Sequence, residues 1–462
     1  MNEFSMKNVL KKNVMALALL GIYILFIILG FAIKGQNILE PSIVTSLIER
    51  YAYVFILGAG MLMCMLTGGN IDLSVGSFVC FAGAIVGLFS VENRIFQSPL
   101  STPLVILIAF GVGIAYGALL GFLIAYVRIP PWIATLAGYL AFRGLGTQYL
   151  TKASADAALT NFPDSLTKIF GGRLFESDWG EMNIPCVVIG VVVAAAVVLT
   201  LIISRKRKVA KGYKADPLWF VVVKSIILAA IILFLTIEFS FDGGFPVVVL
   251  WIAGVLILYG IVTEKTTIGR HFMTVGGNAE SARLSGINNK LVMFCAYLNM
   301  AVLTVIAAMI VTVRASAANS TAGEEYELDA IAACIVGGVS AYGGSGTIVG
   351  MVVGATLIGV INQGMQLIGV DQNWIKIVKG LVLLAAVVFE IKSKQAKKTK
   401  KAKKVKNGET DKIAELEATI AKAEEELNKA SEESFESDSA EPSDVPSDAS
   451  SDAPPAESIV TT

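Results

Sequence analysis

Histidine is almost missing from this chain of 462 residues, with His271 the one imidazole. That leaves no His-based triad and no His-rich metal centre, and His271 itself reads as a surface residue. A G-x-x-x-x-G-K-[ST] run is also missing, so no P-loop cradles nucleotide phosphates. Gly343-Gly344-Ser345-Gly346 is glycine-rich, but no lysine follows it. Cysteine is sparse: Cys64, Cys80, Cys186, Cys295 and Cys334 are scattered, odd in number and without metal-ligand spacing. They read as small core residues. Charged residues make up only 16%, and no nucleic-acid partner is expected.

What is abundant is apolar. Hydrophobic residues reach 55% and the mean hydropathy is +0.69. Residues 14–391 fall into apolar blocks of membrane-spanning length, while lysines and acids crowd beyond Lys392. The reading is an all-α polytopic membrane protein with about twelve transmembrane helices of ~20 residues each. The expected spans are 14–33, 48–67, 73–90, 103–127, 131–150, 183–204, 217–237, 245–263, 291–313, 328–344, 346–369 and 373–391. The first block lacks a small-x-small cleavage site and is read as a retained helix.

Basic residues give the orientation. Lys7, Lys11 and Lys12 precede the first span, and Arg128 follows the fourth. Arg205-Lys206-Arg207-Lys208 follows the sixth, Arg270 to Lys290 the eighth, and Lys392 onward the last. With alternating spans all of these share one side, which places both termini and that eighth-span loop in the cytoplasm. Four regions result: a cytoplasmic N-terminus at 1–13, a transmembrane domain at 14–391 with a loop at 264–290, a charged helical segment at 392–430, and a tail at 431–462. Lys392–Lys406 carries nine lysines, which suits either a juxtamembrane segment facing anionic lipid or a plain positive-inside stop after the last span. Ile413, Leu416, Ile420, Ala423 and Leu427 keep helical spacing, and the Ser/Asp/Pro-rich tail is expected to be disordered.

The loop between the eighth and ninth spans is chemically defined. In TTIGRHFMTVGGNAESARLSGINNK (266–290), Asn278 can cap a short helix and Glu280 sits in its first turn. Arg283 falls in the last turn, and Gly286 can adopt the left-handed conformation that ends it. About two turns do not hold together alone in water, so this helix needs a docking surface. Elsewhere, Asn70, Asp72 and Ser74 interrupt apolar sequence, and Gly68-Gly69 permits a backbone break after which Asp72 or Ser74 can cap the next helix, the preferred reading over a role lining a path. Glu327 and Asp329 lie at the expected outer end of the tenth span, where they cap its N-terminus or meet a partner, capping being the preferred reading. Asn362, Gln363 and Gln366 place amides in the eleventh, where they either line a path or join helices.

Four ordered segments carry a family resemblance: Leu66-Thr-Gly-Gly-Asn-Ile-Asp-Leu-Ser-Val-Gly-Ser77, Ile129-Pro-Pro-Trp-Ile-Ala-Thr-Leu136, Gly269-Arg270 through Gly286-Ile287, and Tyr326-Glu-Leu-Asp-Ala-Ile-Ala-Ala333 continuing to Gly346. The chain resembles the permease subunit of bacterial ABC sugar importers of the ribose, xylose and galactoside group. An extra hydrophobic pair at about 205–263 resembles the longer xylose and multiple-sugar branch. The resemblance implies a bacterial plasma-membrane permease working as a pair, with a separate ABC ATPase that uses ATP and magnesium. It also implies an extracellular sugar-binding protein, with no cofactor bound by this chain. Gly269, Arg270, Gly276, Gly277, Asn278, Glu280, Arg283 and Gly286 become ATPase-coupling candidates. Asn70, Asp72, Ser74, Asn362, Gln363 and Gln366 become translocation-path candidates, and Glu327 and Asp329 candidate contacts for the binding protein. The competing expectation is an ion-coupled secondary sugar transporter, with Asp72, Glu238 and Asp329, all placed near span ends, as its only obvious carriers.

Overall fold

The computed structural model describes residues 14–35, 39–175, 182–213, 217–392 and 419. The chain divides into two compact units, Met1–Ile391 and Lys392–Thr462. The expected N-terminal segment 1–13, most of the lysine-rich stretch, the 413–427 helix and the 431–462 tail lie outside the described residues.

The first unit is a helical bundle. Its helices are α1 (Val14–Lys34), α2 (Pro41–Arg50), α3 (Ala52–Leu66), α4 (Val75–Ser90), α5 (Thr102–Ala125), α6 (Pro131–Ala153), α7 (Asp164–Phe170) and α8 (Ile184–Ala210). They continue with α9 (Leu218–Phe241), α10 (Val247–Lys265), α11 (Thr267–Gly277), α12 (Ala279–Leu284), α13 (Asn289–Arg314), α14 (Tyr326–Val336), α15 (Ile348–Leu367) and α16 at 372–391. Prolines open α2, α5, α6 and α8, where a missing N–H costs nothing. Two antiparallel two-stranded ribbons, β1 (Ala158–Thr160) with β4 (Ala317–Asn319) and β2 (Arg173–Leu174) with β3 (Phe245–Pro246), tie loops together at the end of the bundle that the basic-residue pattern assigns to the outside. Helices α11 and α12 lie at the opposite end, the one expected to face inward.

Helix α3 is apolar all round, and every residue but Phe55 is buried, so it is the axis of the bundle. Helix α13 packs beside it and against α5. There Gly113, Gly117 and Gly121 form one small face: an added Cβ would come within 2.4 Å of Val305, 2.8 Å of Ala301 and 2.9 Å of Phe294. Small residues at four-residue spacing let backbones approach where lipid gives no hydrophobic drive. Helices α8 and α9 are the opposite case. They pack on one another and leave Val188, Val191, Leu199, Ile226 and Ile231 facing outward, as suits lipid.

Among the described residues eight helices are long and apolar enough to cross a membrane, with α2 and α3 acting as one, so the count of twelve is not reached by this measure. Two expected spans turn out to be half-helices. The 73–90 block is α4, starting at Val75 after the non-helical stretch 67–74. The 328–344 block is α14, only 11 residues long, ended by Gly337-Gly338, with Gly338 at φ +85. The two N-terminal turns meet. A Cβ on Gly76 would lie 2.2 Å from both Glu327 Oε2 and the Gly323 carbonyl. The Tyr116 hydroxyl, which donates to Ser74 Oγ (2.5 Å), fixes the depth. At 1.5 Å per residue it stands about 13 Å from the Ala125 end of α5, near the middle of that span.

Candidate functional site

At the inner end the coupling candidates form two helices. Thr266 caps α11 by accepting the Gly269 N–H (3.4 Å), and Gly269, Phe272 and Val275 turn its buried face to the bundle. Arg270 and His271 are exposed. Asn278 ends α11 and caps α12, its Oδ1 accepting the Ser281 N–H at 3.0 Å. Glu280 and Arg283 pair across one turn at 2.6 Å in full solvent, and the guanidinium holds the Glu280 carboxyl below its ordinary range. Gly286, at φ +83, closes α12 while the Ile287 N–H reaches back to the Ala282 carbonyl. Ala282 is buried, whereas Leu284 is 75% exposed, an apolar side chain presented outward next to Arg283.

The residues just before this helix make the closest contact in the region. Gly276 lies against the end of α3, where an added Cβ would be 1.8 Å from the Leu66 carbonyl oxygen and 2.7 Å from Gly344 N. That same Leu66 oxygen accepts the Gly344 N–H at 3.1 Å. Gly343 (φ +84) approaches Gly68 (φ +124), and a Cβ on Gly69 (φ +75) would sit 2.0 Å from the Ala341 carbonyl. Glu390 of α16 accepts the Ala341 N–H at 3.1 Å. Three glycine-bearing segments, far apart in sequence, thus meet backbone to backbone below both half-helices. Sequence reasoning found each segment but not their meeting. It also missed α11, whose buried three-residue spacing from Gly269 was the available signal.

The path candidates separate into two groups. Asn70 donates to Thr67 (3.2 Å to the hydroxyl) and lines an inner cavity of about 290 Å³ with Arg128, Asn289 and Lys290. Asp72, 1% exposed, accepts the N–H and the hydroxyl of Ser74 at 2.9 and 2.5 Å in a local turn. Ser74 occupies the cap position of α4 without making a side-chain cap bond. Asn362 and Gln366, one turn apart on α15, instead line an outer cavity of about 220 Å³. Gln363 is buried nearby but does not line it.

Glu327 and Asp329 are not at an accessible outer end. They are 7% and 2% exposed, because residues 315–325 fold back into the bundle before α14 begins. Arg143 of α6 holds that re-entrant turn, donating to the Ser320 and Ala322 carbonyls at 2.9 and 2.8 Å. Asp329 then forms the floor of the outer cavity. It accepts from Tyr53 (2.6 Å) and pairs with Lys379 of α16 (3.0 Å), and the Tyr53 ring stacks on Tyr326. Glu325 pairs with Lys376 at 3.2 Å, and Gln366 accepts from Arg50. Asp72 and Asp329 are at helix ends, as expected, but both are buried: Asp72 lies between α3 and α4, and Asp329 in the first turn of α14. Glu238 sits in the last turns of α9.

Comparison with known proteins places the sequence in a family. The family described as "Branched-chain amino acid transport system / permease component" matches residues 43–387. The xylose transport system permease protein XylH of Haemophilus influenzae is 31% identical over 82% of this chain and 96% of its own length. Its Escherichia coli K12 counterpart is 32% identical over 76% of this chain and 85% of its own. The ribose import permease protein RbsC of Bacillus subtilis is 31% identical over 81% and 91% respectively. No solved structure matches. The half-helices, the glycine junction and the buried cavity floor all fall within the matched span, and the chain belongs to this family of transport-system permease components.

Proposed function

We propose that the chain is the membrane permease subunit of a binding-protein-dependent ABC importer that carries a monosaccharide, a pentose or hexose, inward. A separate ABC ATPase docks on α12, an extracellular sugar-binding protein delivers solute at the opposite end, and a second copy of the chain completes the pore. The site is a bacterial plasma membrane, with both termini in the cytoplasm beside the basic loops and the outward faces of α8 and α9 in lipid. The observation that carries this reading is the inner junction. The capped helix bears an exposed Arg283 and Leu284 for a partner, and Gly276 immediately before it touches both the α3 end and the 343–344 loop. A push on α12 therefore reaches the two half-helices through backbone atoms, with no side chain to absorb it.

The test is reconstitution in proteoliposomes with the ATPase and binding protein. Sugar uptake is expected only with both partners and ATP. Uptake that persists without an ATPase, or that collapses with an uncoupler at constant ATP, overturns the proposal. Within the assembly, Arg283→Glu is expected to leave the melting temperature of the permease unchanged and to separate ATP hydrolysis from uptake. Normal binding-protein-stimulated uptake by that variant removes Arg283 from the docking surface.

A further inference from the structure

The outer cavity contains an unfinished hydrogen-bonding group. Asn362 is 1% exposed, faces the cavity, and neither its Nδ2 nor its Oδ1 has a partner. A buried carboxamide without partners is costly and rare, so something that enters the cavity completes it. Arg314 Nε, also buried and unpartnered, lines the same space. The charged groups around them are nearly balanced: Arg50, Arg314, Lys376 and Lys379 against Glu324, Glu325 and Asp329, with Asp329 paired to Lys379 and Glu325 to Lys376. An ionic ligand of either sign would upset that balance. An uncharged ligand rich in hydroxyls would not, and two adjacent hydroxyls supply the acceptor and donor that one carboxamide needs.

Size and access agree. At about 220 Å³ the space falls below the roughly 300–1,000 Å³ of drug-sized pockets, which suits a single sugar ring. Exposure is graded, with Arg50, Gln372 and Lys376 open at the mouth and Tyr53, Asp329 and Asn362 closed at the floor. The mouth is at the end opposite the glycine junction. We propose that this cavity, inside a single copy of the chain, is a binding site for a small neutral polyol, with the Asn362 amide reading a pair of neighbouring hydroxyls. The inference deepens the permease reading and rests on it for the direction of approach.

The experiment places a reporter at the mouth. Gln372→Cys in the full-length permease, reconstituted in liposomes, is labelled with a membrane-impermeant maleimide. The unsubstituted protein gives the background, since four of its five cysteines are buried. D-xylose, D-ribose or D-galactose is expected to slow labelling by a factor of about 1 + [L]/Kd, whereas L-leucine is not. Adding Asn362→Leu is expected to abolish protection without lowering the melting temperature. Protection by none of the sugars, protection by leucine alone, or protection that survives Asn362→Leu overturns the inference. The permease reading fails separately, through loss of ATP dependence in the uptake assay on unsubstituted protein.

Discussion

The two ends of this bundle are held together by different chemistry. The inner junction is made of backbone: Gly68, Gly276, Gly343 and Gly344 bring three segments within carbonyl distance, and the Leu66–Gly344 hydrogen bond joins them. The outer cavity is made of long polar side chains, with Tyr53, Asp329 and Lys379 linking α3, α14 and α16. Backbone contacts without side chains transmit displacement stiffly, whereas ion pairs between long side chains break and re-form as helices shift. A machine driven from inside and loaded from outside would use them in that order, with α14 running from the pliable end to the stiff one.

The sharpest way to break the comparison is at the ion pair. Lys379→Met leaves the nearly fully buried Asp329 carboxylate with Tyr53 alone, and removing one partner of a buried pair costs about 3–5 kcal/mol. A large fall in melting temperature is expected, followed by fluorescence-detected size exclusion. The double variant Lys379→Met with Asp329→Leu should recover much of it. A small effect of the single variant would mean that water reaches Asp329 and the outer end is not closed.

Second in size is Gly276→Ala. Its methyl would collide with the Leu66 oxygen, and relieving that overlap by moving backbone is the kind of overpacking that costs about 1–3 kcal/mol. Reconstituted transport should fall further than stability does, since the junction would be pried open rather than unfolded. Uptake at the wild-type rate would show that the junction is not the route of force.

Third is Asn278→Ala, which removes the Oδ1 acceptor for the Ser281 N–H and should cost about 1 kcal/mol. Hydrogen exchange should rise across 279–284 while the α3 core stays protected. This helix was the most legible feature of the sequence because its cap, its first-turn acid, its last-turn base and its closing glycine are all local. The inward start of α14 was not legible for the opposite reason. The start of α4 was marked by Gly68-Gly69 and Ser74 and fell within two residues of the expected span, whereas Glu327 and Asp329 look like outer-end acids until residues 315–325 fold inward. That fold depends on Arg143, 177 residues from the Ser320 carbonyl it binds, and separations of that kind leave no local trace. The outer cavity was half visible: the Asn362 and Gln366 amides stood out on one helix face, but their partners come from other helices.

The smallest expected effect discriminates most cleanly. Gly276 and Gly277 are adjacent, both end the same helix, and neither has a left-handed backbone. If helix propensity alone governed this segment, alanine at either position would stabilise it by up to about 1 kcal/mol. Close approach predicts otherwise, because a Cβ on Gly277 meets nothing within 4 Å while one on Gly276 meets three backbone atoms. Gly277→Ala should therefore leave melting temperature and uptake within error of the parent protein while Gly276→Ala loses both. Equal losses at the two positions would assign the glycine requirement to flexibility of the whole loop, and the stiff-end account would fail.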